Sequence, residues 1–592
     1  MGVTAAYGYY AMFSTFTPGD DEGYLLLSLD QFRHGRPLYD SVFTQYGPMY
    51  YAVFDAVFSA PWLGVTHDGG RLVTLVIWLL TAIVAAAAAA RLTGSRLVGA
   101  CSFVFAFGAL NALTNEPMHP GGLLVLLLAA AAAFATSAQR PKVAAFGAGA
   151  ALGGATFVKI NVGGLGLIAL AFALLVTAPA ARRRAVAASS VLAVTALPFL
   201  LVLRDETNPL ERRFAIVVAL SLLAVAISIT GRRDAVAPST AAWAAWAAAG
   251  ATAAALVATS VVLAHGTSLG GLVHGVLLDP LHRPPHTFPI YLPRWALLWA
   301  VAGVVAAGAV RALPGASGFL STRPAALGRL LAGIAIWLTV GLPYLPGTLP
   351  STRGLALGLP LAWLALVDGR QLAAEARRVR TIVVSLAVVQ ALHAYPVAGS
   401  QIAFGSFLLV VVGAILVGDG LALLDLRLSP RVSRAAVAAC VGLLLALSSA
   451  TLADRRAAYA GNTRVSLHGA TRLRLPADQA ASIESVARTL RVRCTAFVSL
   501  PGLDSFYLWA RKPPPTAANA PIWWYLLSRE QQQAVVRVMD ATPRPCGVVR
   551  PDVWRAARAW SGASASPLLR FMLEKLDVAE RHGSYWLLEA RR

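Results

Sequence analysis

The sequence predicts a polytopic all-α membrane protein of about 13 to 15 spans, ending in a small extracytoplasmic α/β domain. Three observations predict it. The 592 residues are 57% hydrophobic and only 13% charged, with a mean hydropathy of +0.64, too apolar for a soluble assembly of several domains. Apolar runs long enough to cross a bilayer as helices recur along the chain, for example at 71–90, 121–137, 185–203, 239–264 and 403–425. After a last apolar run at 435–451 the chain becomes mixed in character. The predicted division is therefore a membrane domain over 1–452 and a polar domain over 453–592.

Charge gives the orientation. The formal net charge of +22 would suit a nucleic-acid binder, but the basic residues come in small groups between hydrophobic runs, which is the spacing of topology signals. Nucleic acid is therefore excluded as a partner. Only Lys142, Lys159, Lys512 and Lys575 are lysines; the bias toward arginine reads as genome composition. Alternate loops at 91–96, 138–142, 181–184, 232–234, 311–329, 369–380 and 427–434 carry basic residues, including the triplet Arg182-Arg183-Arg184, and are predicted to be cytoplasmic. The intervening short loops are poorer in them, with the exception of 204–213. The chain is thus predicted to sit in the plasma membrane with its acidic N-terminal loop and its C-terminal domain outside, and all ten histidines at or near that outer side.

Four cysteines are present. Cys101 and Cys440 lie in apolar runs, while Cys494 and Cys546 lie in the polar region and are free to pair if it is outside. The first apolar stretch has no basic n-region and no cleavage site, so no signal peptide is predicted. Residues 1–16 are slightly short for a span, which is compatible with a chain that begins further upstream.

The first outer loop, about 17–70, holds Asp20-Asp21-Glu22 directly after an apolar segment. Tyr24 to Phe32 has helical spacing and Phe43 to Phe58 repeats aromatics every three or four residues, the pattern of segments lying in the membrane interface. Acidic groups pinned there point to function, although a carboxylate run is also how a solvated loop starts. Two short spans, 143–158 and 162–180, are predicted to meet at Lys159-Ile160-Asn161. Glu116 and His119 form a Glu-x-x-His pair in the second outer loop, which reads either as a metal or acceptor site or as a capping turn between Pro117 and Pro120. A proline- and histidine-rich loop runs from His265 to Arg294. In the last domain the pattern predicts strands at Cys494–Leu500, Cys546–Arg550 and Ser584–Glu589, and helices at Ser528–Asp540 and Pro567–His582. Trp523-Trp524-Tyr525 reads equally as a sugar platform, a core element or an interfacial belt.

Three segments carry a family likeness. Asp21-Glu22-Gly23-Tyr24, His34-Gly35-Arg36-Pro37-Leu38-Tyr39-Asp40 and Gln45-Tyr46-Gly47-Pro48-Met49-Tyr50-Tyr51 together resemble the first outer loop of C-type (GT-C) glycosyltransferases, in particular the dolichyl-phosphate-mannose protein mannosyltransferase and lipid A aminoarabinose transferase-like group. Gly153-Gly154-Ala155-Thr156-Phe157-Val158-Lys159 is similar to the glycine-rich, Lys-ended element of those enzymes. The resemblance covers roughly the first 200 residues. It implies a GT-C-like bundle that takes a sugar from a polyprenyl monophosphate donor and moves it, with inversion, to the hydroxyl of a glycan, lipid or protein acceptor in cell-envelope assembly.

By that resemblance Asp21 occupies the acidic position of the catalytic base, Asp20 stands where proline is common, and Glu22 completes the acidic group. A carboxylate there takes the acceptor proton and faces the positive character of the anomeric carbon. Lys159, Arg283 and Arg294 are the candidate cations for the donor phosphate; the plain alternatives are a snorkelling lysine and solvated loop arginines. Glu116, His119, Tyr46 and Tyr39 are the candidates for positioning the acceptor. No cofactor is expected, and no metal is assigned. The competing readings are a transporter or flippase for lipid-linked sugars, which should show inverted repeats and midplane helix breaks, a membrane polymerase, and a structural role.

Overall fold

The computed structural model describes residues 1–592 except 18, 20, 138, 179–182, 204–206, 230–239, 283–288, 314–315, 343–349, 368–371, 425–450, 561, 563–564 and 592. Among the described residues, seven helices are long and apolar enough to cross a membrane: His67–Thr93, Ala185–Val202, Pro209–Ile229, Thr240–Ala264, Trp295–Ala312, Arg323–Gly341 and Gln401–Leu423. Four shorter apolar helices accompany them. The chain is an integral membrane protein of the polytopic helical class, and its C-terminal part is a small α/β domain.

The N-terminal part runs α1 (Gly2–Met12), α2 (Asp21–Arg33), α3 (Pro48–Phe58), α4 (His67–Thr93), α5 (Arg96–Asn111), α6 (Pro120–Ala135), α7 (Pro141–Val158) and α8 (Ile160–Val176). The predicted interfacial segments are therefore α2 and α3, and the predicted pair of short spans is α7 and α8. Five of these starts have a local cause. Thr66 caps α4 by accepting the Gly69 N–H, Ser95 caps α5 through Val98, and prolines stand in the first turns of α3, α6 and α7. Small residues let helices meet closely, as membrane packing favours: a Cβ on Gly149 of α7 would lie 1.9 Å from the Ala247 carbonyl oxygen on the helix Thr240–Ala264.

Two expectations change here. Arg377, Arg378 and Arg380 belong to the buried first turns of the helix Ala374–Val389, not to a solvated loop. Arg380 makes a two-armed ion pair with Asp419 at 2.6 and 2.8 Å, which explains how that charge enters the bundle. The second change concerns 567–582: the helix stops at Lys575, and Leu576–His582 is strand β5. It forms a hairpin with β6 (Tyr585–Ala590) across Gly583-Ser584, with Gly583 at φ +56°, so a turn that favours glycine overrides the helical pattern. The predicted last span, 435–451, and the loop 427–434 lie outside the described residues apart from residue 451.

The C-terminal domain has a two-stranded piece, β1 (Thr463–Arg464) with β2 (Arg474–Leu475), and a four-stranded sheet ordered β3-β4-β6-β5. Strand β3 (Ala496–Leu500) pairs parallel with β4 (Pro545–Val549), and β4 pairs antiparallel with β6. Cys494 and Cys546 are disulfide-bonded. The helix Arg529–Asp540 carries a capping box of Ser528 and Gln531. Trp523 is buried and donates to the Ser499 carbonyl, which makes it a core residue.

This domain sits on the start of the chain. Arg474 N donates to Phe13 O at 2.9 Å, Gln479 Nε2 to Phe16 O at 3.0 Å, and Asp68 at the head of α4 accepts from Thr471 N and Thr471 Oγ1, each at 2.8 Å. His67 is sealed between Ser505 Oγ (2.8 Å) and Trp509 Nε1 (3.2 Å). Both ring nitrogens are taken up by these bonds, which makes His67 a packing group.

Candidate active site

The acidic loop after α1 is held from below. Glu22 is buried and takes both oxygens to Arg71 of α4, at 2.8 and 2.7 Å. Arg71 also donates to Thr15 O at 2.7 Å and to Met12 O at 2.5 Å. One guanidinium thus ties the end of α1, the first turn of α2 and α4 together, in the forked geometry that suits a carboxylate. The geometry gives Glu22 that anchoring task and leaves Asp21, its neighbour, to face the site. Asp20 lies outside the described residues.

Opposite Asp21 stands the loop between α5 and α6. Its shape is fixed at Met118, which takes a left-handed φ of 63°. That costly conformation is held on both sides: Thr74 Oγ1 accepts the Met118 N–H at 2.8 Å and Tyr50 Oη donates to its carbonyl at 3.0 Å. His119 follows, and its Nδ1 accepts the Gly121 N–H at 3.0 Å as the cap of α6. Asp21, Glu116 and His119 then offer side-chain atoms that all lie within 4.8 Å of one another. Glu116 also accepts from the Ser400 hydroxyl, and burial raises its pKa.

That trio has the donor types of a cation site. The tautomer argues otherwise: a neutral imidazole whose Nδ1 accepts a hydrogen bond carries its proton on Nε2. Burial, reinforced by Lys159, lowers the His119 pKa to about 3, so the ring is neutral. Its remaining ring nitrogen, Nε2, therefore carries an N–H and not a lone pair.

Lys159 is the corner between α7 and α8, with extended backbone at φ −154° and ψ 110°. Its Nζ donates to Gln401 Oε1 at 3.1 Å, one residue beyond the Ser400 that serves Glu116. His393 lies in the same electrostatic group as Lys159 and His119, and Phe404 stacks on His119 at 5.2 Å between ring centroids. The aromatic motif is clamped to this corner: Gly47 N donates to Val158 O at 2.8 Å. Only glycine fits there, because a Cβ would stand 2.1 Å from the Phe157 carbonyl oxygen.

Tyr46, just before, packs edge-on to His119 with centroids 6.1 Å apart. Burial first, then the Asp21 charge, raises its pKa well above the ordinary phenol value, so it acts as a neutral hydroxyl. Tyr39 supports it by donating its Oη to Tyr46 O at 2.9 Å.

The structure therefore brings together Asp21, Glu116, His119 and Tyr46, with Lys159 alongside. Arg294 stands exposed at the N-cap of the helix Trp295–Ala312, apart from this group, and Arg283 lies outside the described residues. Ser400, Gln401 and His393 were not assigned from sequence; their one signal is a basic-poor outer loop with polar residues at its edges. A separate cavity of about 840 Å³ opens between α2 and the C-terminal domain, lined among others by Asp30, Arg36, His67, Tyr507, Arg511 and Lys512.

Fold and site together define a polytopic membrane protein with a carboxylate, imidazole and ammonium group gathered at one end of its bundle. No known family model matches the chain, and no curated protein does. Two solved structures are similar to it along nearly the whole length: ArnT from Cupriavidus metallidurans in the apo state (14% identity, TM-score 0.36) and ArnT from the same organism bound to undecaprenyl phosphate (13% identity, TM-score 0.37). Each comparison covers 99% of this chain and 96% of the other. Likeness at this level carries no inference about chemistry, which rests on the residues themselves.

Proposed function

We propose that this chain is a membrane glycosyltransferase of the GT-C type, moving a sugar from a polyprenyl monophosphate carrier to an acceptor hydroxyl at the outer face of the plasma membrane. The observation that carries the reading is the convergence of Asp21, Glu116 and His119 within 4.8 Å, from segments far apart in sequence, beside the Lys159–Gln401 pair. A base and a cation are the two groups this reaction needs.

Asp21 takes the proton of the acceptor hydroxyl as its oxygen bonds to the anomeric carbon. The bond from that carbon to the phosphate oxygen breaks, and its electron pair leaves with the polyprenyl phosphate, where Lys159 meets the developing charge. A single in-line displacement of this kind inverts the configuration at the anomeric carbon. His119 Nε2–H and the Tyr46 hydroxyl are donors for orienting sugar or acceptor. Since His119 has no lone pair to offer, the phosphate is met by Lys159 and no metal is required. Outward orientation is supported by the basic-poor loops of the site and by the Cys494–Cys546 disulfide, which belongs to an oxidising compartment.

The test is sugar transfer in membranes supplied with the lipid-linked donor. Asp21→Asn should reduce it by at least about 100-fold, within the range of general-base catalysis, while insertion stays as in the parent and the thermal midpoint does not fall. Full activity in that variant removes the base. Movement of the lipid-linked sugar across vesicle membranes without transfer would favour the transporter reading.

A further inference from the structure

The C-terminal domain carries a buried carboxyl, Asp504, at the head of a short helix that packs on α2, the helix that begins at Asp21. Asp504 is 3% exposed, and its Oδ2 is buried with no hydrogen-bond partner, a costly state for an acid. It is also firmly placed. Leu503 N donates to Ser499 Oγ at 2.8 Å, Gly502 N to Pro521 O at 2.7 Å, and the short helix Ser505–Ala510 that follows is fastened to α4 through His67 and packs on α2.

We infer that Asp504 is the proton partner of Asp21, a positioning residue through which the C-terminal domain completes the transfer site. This rests on the proposed role of Asp21 as base. Two carboxyls coupled across an interior away from water do not both ionise readily, so the pair rests with one proton and one charge. The proton stays on Asp504 and the charge on Asp21, oriented toward the acceptor. When Asp21 takes the acceptor proton and the electron pair of the broken bond departs on the phosphate, the pair carries two protons, and one leaves to water to restore the resting state.

The groups facing Asp504 agree. They are Asp21 from α2 and Tyr507 on its own element; His67 from α4 is bonded to Ser505 and Trp509, and the Glu22–Arg71 pair is neutralised within itself. Burial first, then the Asp21 charge, raises the Asp504 pKa to about 7, and burial, helped by Asp504, raises that of Tyr507. A raised acid pKa means that the folded state binds the extra proton. Its stability therefore falls as pH rises from the usual carboxylate range through about 7.

The experiment compares full-length protein, Asp504→Asn, Asp21→Asn and the double variant. Thermal midpoints in detergent at pH 5 and pH 8 do not depend on any reaction: Asp504→Asn should gain on the parent as pH rises, and the gain should shrink in the Asp21→Asn background. In the transfer assay Asp504→Asn should lose on the order of tenfold in kcat with donor KM little changed, and the inflection of the pH profile near 7 should disappear. Parental kcat with an intact inflection overturns the inference, as does a midpoint gain equal in both backgrounds. An active Asp21→Asn protein would instead overturn the base itself, so the two failures are distinguishable.

Discussion

At the scale of single residues, neighbours in an acidic run have opposite fates. Asp21 faces the site, while Glu22 is spent on Arg71. A buried ion pair is weak proof of stability, but breaking one by removing a single partner leaves an uncompensated charge. Arg71→Met should therefore lower stability by about 3 to 5 kcal/mol, seen as a lower thermal midpoint in detergent. Adding Glu22→Gln should recover only part, because the Met12 and Thr15 carbonyls still lose their donor. An unchanged midpoint in the single variant would mean that Arg71 does not hold this corner. Asp21, Glu116, His119 and Lys159 were legible in the sequence because charge against an apolar bundle is conspicuous. Asp504 was not, since one aspartate in a polar domain carries no signal until folding buries it at the head of a helix packed on α2.

At the scale of elements, the site is assembled by backbone junctions. Tyr46-Gly47-Pro48 at the start of α3 meets the corner where α7 gives way to α8, so the two motifs of the family resemblance are one contact in space. Gly47→Ala would drive a Cβ to 2.1 Å from Phe157 O, and backbone atoms there have little room to yield. The expected cost is about 1 to 3 kcal/mol of stability, with transfer reduced because Tyr46 and Lys159 shift together. Parental midpoint and rate in this variant would show that the junction is loose.

Hydropathy made the spans legible almost to their ends, as in α4, Ala185–Val202 and Thr240–Ala264, because crossing a bilayer demands length and composition alike. It did not show that Arg377, Arg378 and Arg380 are buried, since a loop arginine and one paired across the bundle look alike in sequence. Nor did it separate helix from strand after Lys575, where pairing with β6 decides.

At the scale of the whole molecule, the C-terminal domain is more than an appendage if it delivers Asp504, and its docking then governs the reaction. Asp68 is the polar pin of that contact: besides the two bonds from Thr471, it accepts from Arg472 N at 3.1 Å, and its own N–H donates to Gly469 O at 2.8 Å. Asp68→Ala removes the carboxylate bonds but keeps the backbone one. Hydrogen bonds to a charged group contribute about 1.5 to 3 kcal/mol, enough to loosen the contact without unfolding a domain that keeps its own sheet and disulfide. A shift of about 1 Å at a reacting centre can cost about 100-fold in rate. Asp68→Ala should therefore cut residues 451–462 faster in limited proteolysis and slow sugar transfer, while the released domain stays protease-resistant until its disulfide is reduced. Faster cleavage with undiminished transfer would show that chemistry is complete within the membrane domain, and that Asp504 does not serve it.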